Sequence, residues 1–254
     1  MIVRTEKEQK TLREGGQRLS EILHKVEKKT IGGVKTSDLN KYAEELIKEG
    51  GDKAAFLDYT PEGGTRPYPA SLCVSVNDEV VHGIPNEENK VLKEGDLVVL
   101  DMGLIHGGLF TDSAITVAVG QIDDNAQKLL DVTKESLRLG ISKASAGNSV
   151  GEIGFAIEEY VKSQGFYVAD DLGGHGVGQR VHEEPYVPNI GPKDRGPKLK
   201  LGQVIAIEPI INEGSSRVYL DPDGYTFKTT DGKRSAHFEH TIMVTDGDPI
   251  ILTE

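Results

Sequence analysis

LKEGDLVVLD, residues 92–101, has a counterpart in LKLGQVIAIE, residues 199–208, and both read as apolar strands that end in a carboxylate. Two further pairs of stretches recur in the same order: TSDLNKYAEELIK (36–48) with VGEIGFAIEEYVK (150–162), and VVHGIP (80–85) with RVHEEP (180–185). The order in each half is helix, histidine-containing turn and strand. This echo predicts a duplicated α+β fold, in which two similar halves pack around a pseudo-twofold axis.

The echo divides one domain, residues 1–254, into halves of about 1–125 and 126–254. Apolar residues at helical spacing predict helices over residues 6–29, 35–51 and 123–144, besides the repeated helix at 150–162. Short apolar runs predict strands over residues 71–78, 96–103, 113–120, 203–211 and 238–245. The stretch TPEGGTRPYP, residues 60–69, is rich in proline and glycine and is interpreted as a loop within the domain.

The composition excludes several classes of protein. A formal net charge of -12 argues against broad binding to DNA or to an anionic membrane surface. A single cysteine, Cys73, leaves no internal disulfide and is typical of a reducing compartment. The first ten residues lack the apolar stretch of a signal peptide, and no apolar run reaches the ~20 residues that span a bilayer. We therefore expect a cytoplasmic protein and, without an oligomerisation signal, a monomer.

Four carboxylates lie in or beside the predicted strands. They are Asp101 in LVVLDMG, Asp112 in GLFTDSAITV, Glu208 in VIAIEPII and Glu239 in SAHFEHTIMV. A buried carboxylate must be paired, protonated or bound to a metal, because its charge is otherwise too costly to desolvate. Each of them taken alone could stand at a strand end that opens to solvent. As a set they favour a metal site, since these runs contain no lysine or arginine.

The stretch GGHGVGQRVHEEP, residues 173–185, adds two histidines, of which His175 stands among four glycines. Glycines let the backbone turn sharply and approach other groups closely, although the pattern alone could be a plain turn. Their spacing is not that of a phosphate-binding loop. Around His182, Pro185 and Tyr186 exclude the helical His-Glu-x-x-His zinc motif. One imidazole with four carboxylates suits one or two divalent first-row ions, and bridging carboxylates between two ions would use them all.

Taken together, the motifs VVHGIP, VVLDMG, FTDSAIT, GGHGVG, VHEEP, IAIEP and FEHTIMVT, in this order, resemble those of the type I methionine aminopeptidases. The resemblance runs from the first helix to about Val244. It implies the duplicated pita-bread fold, with a central curved antiparallel sheet and pseudo-twofold symmetry. It also implies a metallo-exopeptidase that removes the N-terminal methionine from nascent proteins and peptides, preferring a small second residue. Hydroxide held by two metals (Co, Mn, Fe or Zn) would attack the first peptide bond.

The resemblance also assigns metal ligands. These would be Asp101, Asp112, His175, Glu208 and Glu239. Asp112 and Glu239 would bridge the two ions, Asp101 would complete one site, and His175 with Glu208 would complete the other. Glu208 would in addition act as the general base that shuttles the proton of the attacking water.

The remaining assigned residues concern the substrate. His182 would stabilise the developing oxyanion, and His82 would hydrogen-bond the scissile nitrogen or the free amine. Tyr68, Cys73 and Tyr225 would line the pocket for the methionine side chain. Two features depart from the usual family pattern: Val181 replaces a common aromatic residue, and the segment 57–69, which includes Tyr59, is longer and richer in proline and glycine. Both departures affect the methionine pocket and leave the metal ligands untouched.

Two alternatives stay open at this point. A proline-directed peptidase of the same fold, such as aminopeptidase P or prolidase, would carry a separate N-terminal domain, and only about 35 residues precede the first repeat. A binding protein on this fold that lacks catalysis would have lost metal ligands, whereas all five are present. Both considerations favour the methionine-directed enzyme.

The basic stretch KDRGPKLK, residues 193–200, has two interpretations. Runs of charge are usually solvated surface. Because the resemblance implies an enzyme that acts on nascent chains, this stretch is also a candidate for contact with the ribosome.

Overall fold

The computed structural model of the chain describes residues 1–61, 63–64 and 66–254. In these residues the helices are α1 (Glu6–Glu27), α2 (Thr36–Glu49), α3 (Asp124–Ile141) and α4 (Val150–Ser163). The strands are β1 (Lys53–Ala54), β2 (Cys73–Val76), β3 (Glu79–Val81), β4 (Leu97–His106), β5 (Leu109–Ala118), β6 (Tyr167–Val168), β7 (Gly173–Gly176), β8 (Glu183–Pro188), β9 (Val204–Ile207), β10 (Ile210–Asn212), β11 (Val218–Leu220), β12 (Phe227–Thr229), β13 (Ser235–His237), β14 (Glu239–Met243) and β15 (Ile250–Ile251).

The four predicted helices are confirmed, and their ends have local causes. At the start of α1, the Thr5 hydroxyl accepts from the Glu8 backbone N–H, while the Glu8 carboxylate accepts from the Thr5 N–H, which forms a capping box. At the start of α4, the Glu152 carboxylate accepts from the Ser149 N–H, which is one half of the same motif. In the part of the chain that the structure describes, no helix combines the length and apolar character needed to cross a membrane.

The central sheet has nine strands, and its pairings are antiparallel. The main order is β1-β4-β5-β14-β9-β7-β8, so β5 and β14 meet in the middle. β4 flanks β5 as β9 flanks β14, which is the pseudo-twofold arrangement that the repeated stretches predicted. The antiparallel α+β fold is thus confirmed, while the division of the chain at about residue 125 stays a prediction.

Hydroxyl groups tie β5 to the C-terminal strands in addition to the backbone. The Thr241 hydroxyl of β14 donates to the Asp112 carbonyl at 2.7 Å and accepts from the Asp112 N–H at 2.8 Å. The Thr116 hydroxyl makes the same reciprocal pair with the backbone of His237, the last residue of β13, at 2.7 and 2.9 Å. Each of these contacts joins residues more than 120 positions apart in the chain. The pairing of β5 with β14 therefore requires residues from both halves of the sequence.

Each helix pair covers its own part of the sheet. α1 and α2 pack in one apolar cluster with Val98, Leu100, Met102 and Leu104 of β4. α3 and α4 pack in another with Ile205 and Ile207 of β9. Since side chains alternate along a strand, the residues between these apolar positions point to the opposite face of the sheet.

One strand prediction was wrong in its extent. Residues 203–211 form two strands, because the chain breaks at Glu208 and Pro209 between β9 and β10. β9 pairs with β14 in the central sheet, whereas β10 pairs with β13 and β6 in a separate three-stranded sheet. Proline has no N–H to donate to a strand ladder, which accounts for the break. The predicted loop 60–69 contains neither helix nor strand in its described residues, and residues 62 and 65 lie outside them.

We predict that Gly174 is required for the close approach of β7 to β9. A Cβ atom at this position would lie 2.2 Å from the backbone oxygen of Ala206, so the strands would have to separate. Gly174→Ala should lower the free energy of unfolding by about 1–3 kcal/mol in denaturant titrations. At Gly247 a Cβ atom meets nothing within 4 Å, and Gly247→Ala should change stability by less than about 0.5 kcal/mol. Equal stability of the two variants would contradict this packing.

Candidate metal centre and active site

Strand alternation places the four carboxylates on the face of the sheet that the helices leave free. Asp101 lies between Leu100 and Met102, both of which pack under α1 and α2. Glu208 follows Ile207, which packs under α3 and α4. Asp112 and Glu239 lie on the two central strands, where Glu239 is in register with Ala114. The two halves therefore contribute two carboxylates each to one point at the pseudo-axis.

These carboxylates are buried without cationic partners. Asp101, Asp112 and Glu239 are 6%, 3% and 2% exposed, and one oxygen of each has no hydrogen-bond partner. Among the described residues, no lysine or arginine forms an ion pair with any of the four. Burial and mutual repulsion raise the pKa of Asp101, Glu208 and Glu239 well above their usual values. Burial also raises the pKa of Asp112 to about 7.

His175 directs a nitrogen at this group. Its Nδ1 donates to the carbonyl of Gly176 at 3.0 Å, so the lone pair of the neutral ring is on Nε2. Nε2 lies 3.5 Å from Glu208 Oε1 and 3.9 Å from Asp112 Oδ2. Burial lowers the pKa of His175 to about 4, which keeps the imidazole in its neutral, metal-binding form. The neutral ring can therefore bind a metal ion through Nε2 and adds no positive charge of its own.

The donor set fits a divalent metal. Ligand atoms of Asp112, His175 and Glu239 all lie within 4.8 Å of one another. The unpartnered carboxylate oxygens need positive charge close by, and hard oxygen donors with one imidazole suit a divalent first-row ion. Asp101 and Glu208 border the same space.

All ten residues that the sequence marked line one cavity, which encloses about 590 Å³ including its mouth. Its walls are formed by Phe56, Tyr59, Pro61, Tyr68, Cys73, His82, Asp101, Asp112, His175, His182, Glu208, Tyr225 and Glu239. Phe56, Tyr68 and Cys73 belong to an apolar cluster that also contains the buried side chain of Val181. The cavity thus combines a carboxylate-rich part with an apolar part. Val181, which departs from the family pattern, packs in this apolar cluster and is not among the residues that line the cavity.

The two further histidines border this cavity from different elements. His82 lies in the turn after β3 with a positive φ of 59°, and burial lowers its pKa. His182 lies just before β8, and its ring meets that of His175 edge to face, with centroids 4.4 Å apart. The His182 side chain is exposed at the cavity mouth. Desolvation by the surrounding protein, together with the neighbouring imidazoles His175 and His82, lowers the pKa of His182. Both rings are therefore neutral at pH 7.

One further histidine beside the carboxylates was not predicted from the sequence. His237 is 1% exposed, and neither ring nitrogen has a hydrogen-bond partner in the structure. Its Nε2 lies 3.6 Å from Glu208 Oε2 and 3.8 Å from Glu239 Oε2. The signal was present in SAHFEH, where His237 stands two positions before Glu239 and so faces the same way. Tyr59, from the segment that departs from the family pattern, lies in the cavity wall.

Comparison with known proteins shows the family of the chain. The model of metallopeptidase family M24 matches residues 10–246. The chain belongs to this family. Within it, the chain is 47% identical to the methionine aminopeptidase of Aquifex aeolicus, over 98% of this chain and 97% of that protein. It is 44% identical to methionine aminopeptidase 1 of Bacillus subtilis, over 100% and 99% of the two chains. The family resemblance inferred from the motifs is confirmed.

Solved structures of methionine aminopeptidases and of a prolidase confirm the pita-bread fold. The methionine aminopeptidase of Thermotoga maritima superposes with a TM-score of 0.93 at 40% identity, and the alignment covers both chains completely. The enzyme from Rickettsia prowazekii gives 0.94 at 35% identity, with the same coverage. The prolidase of Pyrococcus horikoshii shares the fold with a TM-score of 0.78, but at 22% identity and with 63% of that chain covered.

We predict that, in protein freed of metal by a chelator, the buried carboxylates lower the stability progressively as the pH rises from about 4, their unfolded pKa, to about 7, the folded pKa of Asp112. The carboxylates have folded-state pKa values above their unfolded ones, so their contribution to stability is present at low pH and is lost as they ionise. The histidines have lowered folded-state pKa values, so they oppose this loss below about pH 6.5, where the unfolded chain binds protons. Relative to the Glu239→Gln variant, which keeps these histidines, the melting temperature of the unmodified protein should fall by roughly 5 °C between about pH 4.5 and about pH 7.

A matched variant isolates this effect. Glu239→Gln removes one of the repelling charges and should flatten the decline, as followed by calorimetry of both proteins in chelator. Parallel declines in the two proteins would show that groups outside the cluster cause the loss.

Proposed function

We propose that the protein is a methionyl aminopeptidase that removes the N-terminal methionine from nascent proteins and peptides, with a preference for a small second residue. The observation that carries the proposal is one cavity that joins a carboxylate and imidazole cluster to an apolar wall. The names of the relatives, matched along the whole chain, support the same activity.

We propose that Asp101, Asp112, His175, Glu208 and Glu239 hold two divalent ions, of Co, Mn, Fe or Zn. Asp112 and Glu239 are the candidates for shared ligands, because they lie on the two central strands between the remaining donors of each half. Bound ions supply positive charge and a water of lowered pKa next to the scissile carbonyl. The unpartnered oxygens of the buried carboxylates support this assignment.

The side chains around the cavity then divide the work on the peptide bond. Glu208 accepts the proton of the attacking water, because its carboxylate borders the cavity beside His175. His182 donates a hydrogen bond to the oxygen on which negative charge develops. His82, on the opposite repeat, hydrogen-bonds the scissile nitrogen or the free amine. Because both imidazoles are neutral, each offers one N–H without adding charge.

The apolar part of the cavity is the proposed methionine pocket. Tyr68 donates its hydroxyl to the carbonyl of Gly83 at 2.8 Å, so its polar end is satisfied away from the ligand. Its ring packs edge to face on Tyr225, with centroids 5.1 Å apart. Cys73 is buried beside them, and burial keeps its thiol protonated by raising its pKa. These residues leave an apolar, polarizable surface that matches a thioether side chain.

The site predicts a defined response to metals and to peptide sequence. Chelation should abolish release of methionine from a Met-Ala-Ser peptide, and separate addition of Mn, Co, Fe or Zn should show which ions restore it. Glu239→Gln should lose at least about 1,000-fold in kcat/KM and should bind metal more weakly in calorimetric titration. The control Glu49→Gln changes the exposed last residue of α2 and should match the unmodified protein. Faster release of the first residue from Xaa-Pro peptides, or a protein that binds no divalent ion, would refute the proposal.

We further propose a cytoplasmic, monomeric enzyme that meets its substrates at the ribosome. Lys193, Arg195, Lys198 and Lys200 are all exposed, which allows contact with an anionic surface.

Charge reversal tests this contact. Glutamate at all four of these positions should lower co-sedimentation with ribosomes at low salt by about fivefold, because the attraction is electrostatic. The matched control carries glutamate at four other exposed positions, which lie in α1, just after it, and in α2: Lys25, Lys28, Lys41 and Lys48. Equal co-sedimentation of the two variants would remove residues 193–200 from the proposed contact.

A further inference from the structure

We propose that Tyr59 is a positioning residue that fixes the tautomer of His182, so that Nε2 carries the hydrogen and faces the substrate. The hydrogen bond stands on the geometry alone, whereas its catalytic consequence rests on the proposed function. Tyr59 lies in the segment 57–69, which also carries Tyr68 of the proposed methionine pocket.

The contact is direct. The Tyr59 hydroxyl oxygen lies 2.9 Å from Nδ1 of His182, and the rings meet edge to face with centroids 5.4 Å apart. The ring of His175 packs against His182 as well, at 4.4 Å between centroids. With Nδ1 engaged by Tyr59, Nε2 is the nitrogen left for the cavity. Two ring contacts and one hydrogen bond therefore determine how this imidazole is presented.

The direction of the hydrogen bond follows from the surroundings. Burial and the neighbouring Tyr225 raise the pKa of Tyr59, so its hydroxyl keeps its proton and can donate to Nδ1. An imidazole that accepts at Nδ1 carries its hydrogen on Nε2. In the other tautomer, the lone pair of Nε2 would point into a cavity lined by four carboxylates and towards a substrate oxygen. The tautomer with hydrogen on Nε2 therefore suits both the carboxylates of the cavity and the substrate oxygen.

The backbone holds Tyr59 independently of the outer part of the segment. The N–H of Asp58 donates to the Tyr68 carbonyl at 3.0 Å, and the N–H of Tyr68 donates to the Tyr59 carbonyl at 2.8 Å. Asp58 adopts a positive φ of 63°, which turns the chain at this point. These bonds fasten the segment at its base, beside the apolar cluster of the cavity. Tyr59 is thus part of a fixed wall.

The test removes one oxygen atom. Tyr59→Phe keeps the ring and its contact but cannot donate to Nδ1, and Tyr219→Phe is the matched control on an exposed strand. Nitrogen-15 spectra of labelled histidine, recorded in chelated protein, report which ring nitrogen of His182 carries hydrogen. We expect the Nε2–H form in the unmodified protein and in Tyr219→Phe, and a mixture of tautomers in Tyr59→Phe.

Kinetics give the second readout. With Met-Ala-Ser peptide, Tyr59→Phe should lower kcat by about 10-fold to 100-fold, as removal of a group that orients a catalytic partner does. KM should stay within about twofold, since the ring still lines the pocket. Hydrogen on Nδ1 in the unmodified protein, or an unchanged tautomer in Tyr59→Phe, would overturn the proposal. A changed tautomer in a protein that releases no methionine would refute the proposed function and leave the positioning role standing.

Discussion

The structure depends on the close grouping of four carboxylates, with which no lysine or arginine of the described residues forms an ion pair. In the absence of another cation, burial and repulsion drive these groups towards protonation. This arrangement opposes folding, and it persists because a divalent ion can convert the repulsion into attraction. The site is thus a destabilised part of an otherwise apolar core, as ligand-binding sites often are.

The fold achieves this grouping by repetition. Each half supplies a helix pair that covers its apolar strand positions, and the alternate positions of the same strands face the cavity. Placing β5 next to β14 brings the two halves into contact at the middle of one sheet. A single site at a pseudo-axis can thereby draw on both repeats. The histidines follow the repeat only in part: His82 and His182 correspond between the halves, whereas His175 has no counterpart.

Much of this could be predicted from the sequence, because the decisive signals are local. A carboxylate inside an apolar strand, or a histidine among glycines, marks its position without knowledge of its neighbours. What could not be predicted depends on contacts between distant segments. The nearness of His237 to Glu208 becomes visible only when β9 pairs with β14, although the alternation of His237 with Glu239 was already a signal in the sequence. The bond from Tyr59 to His182 joins residues 123 positions apart. The break at Pro209 was visible in the sequence, yet the apolar pattern around it favoured one continuous strand.

The hydroxyl contacts between β5 and β14 also have a consequence for the order of folding. Because Asp112 and Thr241 are 129 residues apart, the central pairing can form only after nearly the whole chain is available. Long-range strand pairing of this kind is slow, since a large loop must close before any contact rewards it. During synthesis the first half therefore exposes its strand edge and its two carboxylates while the rest of the chain is still being made. The peptidase site comes into being only with the last strands, so an incomplete chain has no means of acting on its neighbours.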